Sequence, residues 1–268
     1  MHNGWTVHAS GPANAEHAVL MLPGGLCTAA FYSDVLADPR LKQSPIRFAA
    51  TTVPGFGGTT PLGDLRFESY SAAAAELAAD LGCDVVVGHS MGANLAIEML
   101  GAGRFKGPAV LLSPSFSHED EFNVLDVMDR LGQVPGLGRL AWTAMLKAMP
   151  RSMKNELPPE RADALVAEMQ ENDPRVCREL VRHYLAYLDR QQSLVSRLCD
   201  SGVRAWAAFG DGKGEVGLTD DERQALETCP NVELVTIHGS GHLALNDNPA
   251  AVAGLILAAV ESAARAAQ

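Results

Sequence analysis

The amino-acid sequence predicts an α/β fold: a doubly wound, mostly parallel sheet with a block of helices inserted into it. Three observations carry the prediction. Short apolar runs at 18–22, 46–53, 85–87, 109–112, 205–209 and 232–237 alternate with helical periodicity. Runs so continuously apolar belong to strands buried on both faces, as in a parallel sheet flanked by helices. From about residue 119 to 198 the strand signal vanishes and only helical periodicity is left, broken at Pro135-Gly136, Pro150 and Pro158-Pro159. Ser90 stands alone between Gly88 and Gly92, after a β-branched run and before a helical one. Glycines on both sides of so sharp a strand–turn–helix let strand and helix approach without Cβ clashes.

Taken in order, residues 5–8 form a short first strand and 18–22 a buried one, which stops at Pro23-Gly24-Gly25-Leu26. A helix over 29–36 follows, then the strand 46–53, closed by the turn Pro54-Gly55-Phe56-Gly57-Gly58. Residues 70–81 have helical spacing, with Ser69 or Ser71 as N-cap. The strand at 85–87 leads through the serine turn into a helix at 93–100, and 109–112 is the next strand. After the helical block come a strand at 205–209, a helix at 219–228 with Thr219 and Glu222 as a capping box, a last strand at 232–237, and a helix opened by Pro249. The expected organisation is a core of residues 1–114 and 199–268 with a helical cap over 115–198.

A serine hydroxyl needs a base within hydrogen-bond reach and a third group to orient that base. Both types of partner follow strands here: Asp211 in Gly210-Asp211-Gly212, and His242 in Gly239-Ser240-Gly241-His242. The order Ser90, Asp211, His242 is the one that the serine turn predicts for a catalytic triad.

These motifs resemble the alpha/beta-hydrolase fold family along nearly the whole chain. Gly88-His89-Ser90-Met91-Gly92 matches its nucleophile elbow, Gly241-His242 through Asp247-Asn248-Pro249 its C-terminal motif, and Pro54-Gly55-Phe56-Gly57 its turn after an early strand. Leu22-Pro23-Gly24-Gly25 sits where the family has its oxyanion loop, and the helical block where it inserts its cap. Pro23 replaces the usual histidine, Thr52 a common aspartate, and Lys213 a second aspartate after Gly-Asp. The resemblance implies an oxyanion hole from the backbone of Met91 and of Gly25 or Leu26. It also makes Glu215, Glu119 or Asp120 the alternative acids, and a cap pocket walled by side chains among Phe122, Leu125, Trp142, Met145, Met149, Tyr184 and Tyr187. His89, beside the nucleophile, reads as structural, with its ring pointing elsewhere.

The implied activity is hydrolysis of an ester-type bond in a small, mainly apolar molecule, without cofactor or metal. Carbon–carbon or thioester hydrolysis, acyl transfer, cofactor-free haloperoxidase chemistry, and a ligand sensor that keeps the triad stay open. A net charge of −11 argues against nucleic acid as a partner. The first ten residues lack a secretory pattern, and no apolar run of membrane-spanning length stands out. Five cysteines without motif spacing read as reduced thiols of a cytoplasmic protein. The sequence leaves the oligomeric state open.

Overall fold

The structure is a computed structural model and describes residues 4–121, 127, 130, 137–153, 157, 159–191, 193–212, 214, 215 and 217–266. Its strands are β1 (Thr6–Ser10), β2 (His17–Leu22), β3 (Ile46–Thr52), β4 (Val85–His89), β5 (Ala109–Leu112), β6 (Ala205–Gly210) and β7 (Val232–Ile237). They form one sheet in the order β1-β3-β2-β4-β5-β6-β7. β1 is antiparallel to β3, and the other pairings are parallel. All of β4 and β5, and all of β2 after His17, are buried. Their uninterrupted apolar sequences follow from helices on both sides.

The α-helices are α1 (Ser33–Leu36), α2 (Pro39–Lys42), α3 (Phe67–Asp80), α4 (Met91–Gly101), α5 (Leu137–Met153), α6 (Pro159–Gln170), α7 (Pro174–Arg190), α8 (Leu194–Asp200), α9 (Asp220–Glu227), α10 (Ala244–Asp247) and α11 (Pro249–Ala266). α4 and α11 both pack on β2, β4 and β5, from opposite faces; α3 joins α4, and α1 and α2 join α11. α11 has the length and apolarity to span a bilayer, with a mean hydropathy of 1.3, a run that the sequence reading passed over. In the fold one face of it packs against the sheet, and a third of it is buried.

The predicted capping box opens α9: Glu222 N donates to Thr219 Oγ1 at 3.3 Å and Thr219 N to Glu222 Oε2 at 3.0 Å. α3 starts earlier than expected, at Phe67, so neither Ser69 nor Ser71 caps it. Ser69 Oγ donates to Asp64 at 2.7 Å, and buried Ser71 donates to the Leu95 carbonyl at 3.1 Å, tying α3 to α4. Between β5 and β6 no strand occurs among the described residues. There α5 packs on α6 and α7, and α7 reaches α3. α8 packs on α4 and α9, so the expected boundary at residue 198 falls inside a helix of the sheet's flank.

Cys199 at the end of α8 and Cys229 before β7 are joined by a disulfide with Cα atoms 5.7 Å apart. The expectation of five reduced thiols is thereby corrected: Cys27, Cys83 and Cys177 are the free ones. Two cysteines 30 residues apart carry no spacing motif and meet only through packing of α8 beside the last strands. The cytoplasmic expectation loses the support that it drew from reduced thiols.

Candidate active site

The parallel strands present their carboxyl ends on one edge, where open α/β sheets place their ligands. Ser90 leaves β4 there with φ 51° and ψ −125°, a conformation that costs an L-residue free energy unless its surroundings impose it. Its N–H donates to the Leu112 carbonyl at 2.8 Å, and its carbonyl accepts from Ala93 N at 2.8 Å and Asn94 N at 3.1 Å. The flanking glycines are sterically required. A Cβ on Gly88 would lie 2.4 Å from the Gly92 carbonyl oxygen, and one on Gly92 would lie 2.2 Å from that of Leu22.

His242 follows β7, after Gly241, whose N–H donates to Asp247 at 2.9 Å. The acid that faces it is Glu215. Glu215 Oε1 lies 3.5 Å from His242 Nδ1, and Oε2 accepts from Gly210 N at 2.5 Å and Ser113 Oγ at 3.0 Å. Burial pushes the Glu215 carboxyl up, but its hydrogen bonds with His242, Gly210 and Ser113 outweigh burial and hold it below the usual range. It is a carboxylate at neutral pH, an acceptor for an Nδ1 proton, which leaves the lone pair of His242 on Nε2.

This corrects the assignment of Asp211. The Asp211 carboxylate turns outward, accepting from His238 Nδ1 at 2.8 Å and Gly239 N at 2.7 Å. The His238 and Gly239 hydrogen bonds lower its pKa, and the side chain is exposed. The physical reason is the tight crossing after β6. The Ser240 carbonyl oxygen would lie 2.2 Å from a Cβ on Gly210 and accepts from Gly212 N at 2.8 Å. Gly210 and Gly212 are thereby held against the Ser240 backbone with the Asp211 side chain on the outside, while Glu215 faces His242. Asp120 instead accepts from Phe116 N and Ser117 N.

His89 is also closer to the chemistry than expected. Its ring is 1% exposed and 4.9 Å from that of His242. Its Nε2 bonds the His242 carbonyl at 2.8 Å, and since a carbonyl only accepts, Nε2 carries the proton. Burial, then the neighbouring His242, push its pKa down to about 3, so the ring is neutral. Nδ1 is a buried lone pair without a partner among the described residues.

Gly25, Leu26 and Met91 all line the cavity that holds Ser90 and His242. Met91 is the first residue of α4, where the helix dipole favours negative charge. Leu26 has φ 67°. Asn172, between α6 and α7, holds it there: Nδ2 donates to the Leu26 carbonyl at 2.8 Å and to that of Met169 at 2.9 Å, while Oδ1 accepts from Gly57 N at 2.9 Å. Thr28 Oγ1 donates to Glu168 on α6 at 2.5 Å. The helical block thus braces the loop that carries Leu26 and Thr28.

The cavity measures about 150 Å³, and its remaining walls are Gly24, Cys27, His89, Glu121, Met169, Val181, Tyr184 and Leu243. Of the expected pocket residues, Tyr184 lines it. Trp142 is fully buried, Met145 packs on the core from a half-buried position, and neither belongs to the cavity wall, because α5 packs its apolar side on α6 and α7. Tyr187 is buried, with its hydroxyl donating to Glu98 at 3.0 Å. Phe122, Leu125, Lys213 and the Met149 side chain lie outside the described residues. Sequence reasoning missed Glu121, Met169 and Val181. Val181 has a signal in retrospect, since it stands three residues before Tyr184 on one helix face.

A family model for the alpha/beta hydrolase family matches residues 19–255. Among solved structures, a thermophilic esterase from Thermogutta terrifontis is 16% identical, with a TM-score of 0.74 over 97% of this chain and 93% of that one. An esterase from Exiguobacterium antarcticum is 16% identical, with a TM-score of 0.73 over 96% and 95%. A thioesterase domain from the curacin biosynthetic pathway is 20% identical, with a TM-score of 0.70 over 95% of each chain. At these identities the likeness is one of fold. No curated protein matches the chain by sequence.

Proposed function

The chain belongs to the alpha/beta hydrolase family, and from that premise we propose that it is a serine hydrolase acting through Ser90, His242 and Glu215 on an ester-type bond of a small molecule with an apolar body. The observation that carries this reading is the Glu215 carboxylate 3.5 Å from His242 Nδ1, on the cavity that Ser90 and His242 share. Ser90 Oγ attacks the carbonyl carbon while His242 Nε2 takes its proton. Glu215 orients the imidazole and offsets the imidazolium charge without taking the proton. The alkoxide forms facing the amides of Met91 and Gly25 or Leu26, where one donor is worth on the order of 100-fold or more in rate. Collapse breaks the ester C–O bond, and His242 returns the proton to the leaving oxygen. Water, deprotonated by the same base, then attacks the acyl-enzyme and releases the acid. The helices between β5 and β6 serve as the cap that closes the site. Esterases and a thioesterase among the structural neighbours support the general chemistry.

Fluorophosphonate treatment tests the nucleophile. Peptide mass spectrometry should find the adduct on Ser90, absent from Ser90→Ala. Labelling at another serine, or none of the native protein, would overturn the reading.

A further inference from the structure

Among the described residues, the polar groups on the cavity wall that take no part in the proposed chemistry present acceptors to it. The first is Glu121, which leaves the short helical turn His118–Asp120 and lies against the cavity. Its Oε1 accepts from Ser115 Oγ at 2.6 Å and from the Tyr184 hydroxyl. Ser115 is fixed in turn by Asn94, whose Nδ2 donates to its carbonyl at 2.6 Å and whose Oδ1 accepts its N–H at 3.2 Å. Two hydroxyls thus clamp one carboxylate oxygen, and the other has no hydrogen-bond partner among the described residues. Nor does any Lys, Arg or His among them pair with Glu121. The Tyr184 hydroxyl, the remaining polar group on that wall among the described residues, donates to Glu121 and lies 3.3 Å from Asn94 Oδ1, so both its recorded partners are acceptors. The second acceptor is the buried His89 Nδ1 lone pair.

Among the described residues the rest of the wall, apart from glycine backbone, is Leu26, Cys27, Met91, Met169, Val181 and Leu243. Cys27 adds no negative charge, since burial pushes its thiol up to about 12. With one oxygen held by two hydroxyls, the other oxygen of this half-buried carboxylate is left to face the cavity, where a cationic donor would suit it best.

We propose that Glu121 is a specificity subsite for a protonated amine, so that the substrate is an amino-substituted ester with an apolar spacer between its ammonium group and the scissile carbonyl. This rests on the serine hydrolase reading above and adds its substrate class. An ammonium would donate to the open oxygen of Glu121, while a carboxylate at the same place would meet only acceptors. A buried charge-assisted hydrogen bond is worth about 10- to 100-fold in affinity.

Two experiments test it. The first compares kcat/KM for three p-nitrophenyl esters of equal length: 4-aminobutanoate as its ammonium, pentanoate, and the monoester of succinate. The expected order is ammonium, then neutral, then anionic, with ammonium over neutral about tenfold, and Glu121→Gln should lower that ratio about tenfold. Preference for the neutral or the anionic ester, or an unchanged ratio in Glu121→Gln, would overturn the proposal. The second needs no turnover: n-butylammonium binding to Ser90→Ala protein by calorimetry, against 1-butanol and butyrate. Butylammonium should bind best and lose its advantage when Glu121→Gln is added. Tighter binding of butanol or butyrate refutes the subsite. Absence of hydrolysis of all three esters, with ammonium binding intact, refutes the hydrolase reading alone.

Discussion

The turn after β4 and the loop after β6 each deliver a group to the candidate active site, Ser90 and Glu215, and they do so by different physics. The first is made by its own residues. Gly88, Ser90 and Gly92 force β4 and α4 into contact through backbone sterics over five positions, and Ser90 is held at φ 51° by bonds to its immediate neighbours and to β5. The second is made by what it meets. Asp211 comes first after the strand and is acidic, yet the Ser240 backbone crossing and the His238 side chain turn it outward. Glu215, four residues on, is placed by Ser113, Gly210 and His242, which come from three separate strand ends. The position of Ser90 is thus set by the residues within two places of it and by β5. An acid fixed by tertiary contacts can shift along its loop while the catalytic geometry survives.

The contrast is broken most severely at the elbow. Gly92→Ala would set a Cβ 2.2 Å from the Leu22 carbonyl oxygen, and backbone cannot give as a side chain can. Overpacking costs about 1–3 kcal/mol or more, which for a domain of this size lowers Tm by about 2–12 °C. Fluorophosphonate labelling of Ser90 should fall with it. A Tm within about 2 °C of wild type and normal labelling would mean that the elbow is less locally determined than described.

A smaller effect is expected at Asn172, which tests whether the helical block only covers the site or helps to build it. Asn172→Ala removes the donor to the Leu26 carbonyl. On a minimal acetyl ester, kcat should fall by about 10- to 100-fold with KM little changed, because an oxyanion donor is felt in the transition state. A rise in KM with kcat unchanged would return the block to a covering role.

The smallest effect lies far from the nucleophile, where the helical turn after β5 meets α9. Burial, then the charge of Glu222, push the Asp120 carboxyl up to about 7. The folded protein holds this proton to higher pH than the unfolded chain does. The group's contribution is therefore fully present below the unfolded value near 4 and is lost as pH rises through about 7. Tm should drift down by a few degrees across that window, and Asp120→Asn should flatten the drift. A variant that keeps the wild-type slope would assign it to other groups.

Much of this was legible in the sequence, for reasons that differ by element. Ala109–Leu112 and Val232–Ile237 are strands at the predicted residues, because the apolar runs are bounded by turn residues on both sides. The Thr219–Glu222 box works through contacts three residues apart and reads directly. Ser90 and His242 were visible because glycines announce the special backbone around them. The acid was visible only as a choice, with Asp211 put first and Glu215, Glu119 or Asp120 as alternatives, since a carboxylate that caps a loop and one that orients a histidine look alike in sequence. The disulfide between Cys199 and Cys229 was hidden for the same reason, as were the bracing of Leu26 by Asn172 and the presence of Glu121 on the cavity wall. Trp142 suggested a pocket by its size alone, and burial between helices claimed it instead.

The most direct test of the account is the side-by-side measurement of kcat/KM for Glu215→Gln and Asp211→Asn on one ester. Both changes remove a charge and keep the shape. Glu215→Gln should lose about 10⁴-fold, the scale seen when a triad acid becomes an amide. Asp211→Asn, on an exposed side chain that still accepts from Gly239, should stay within about threefold of wild type. A large loss in Asp211→Asn with Glu215→Gln near wild type would contradict the assignment of the acid and the contrast drawn from it.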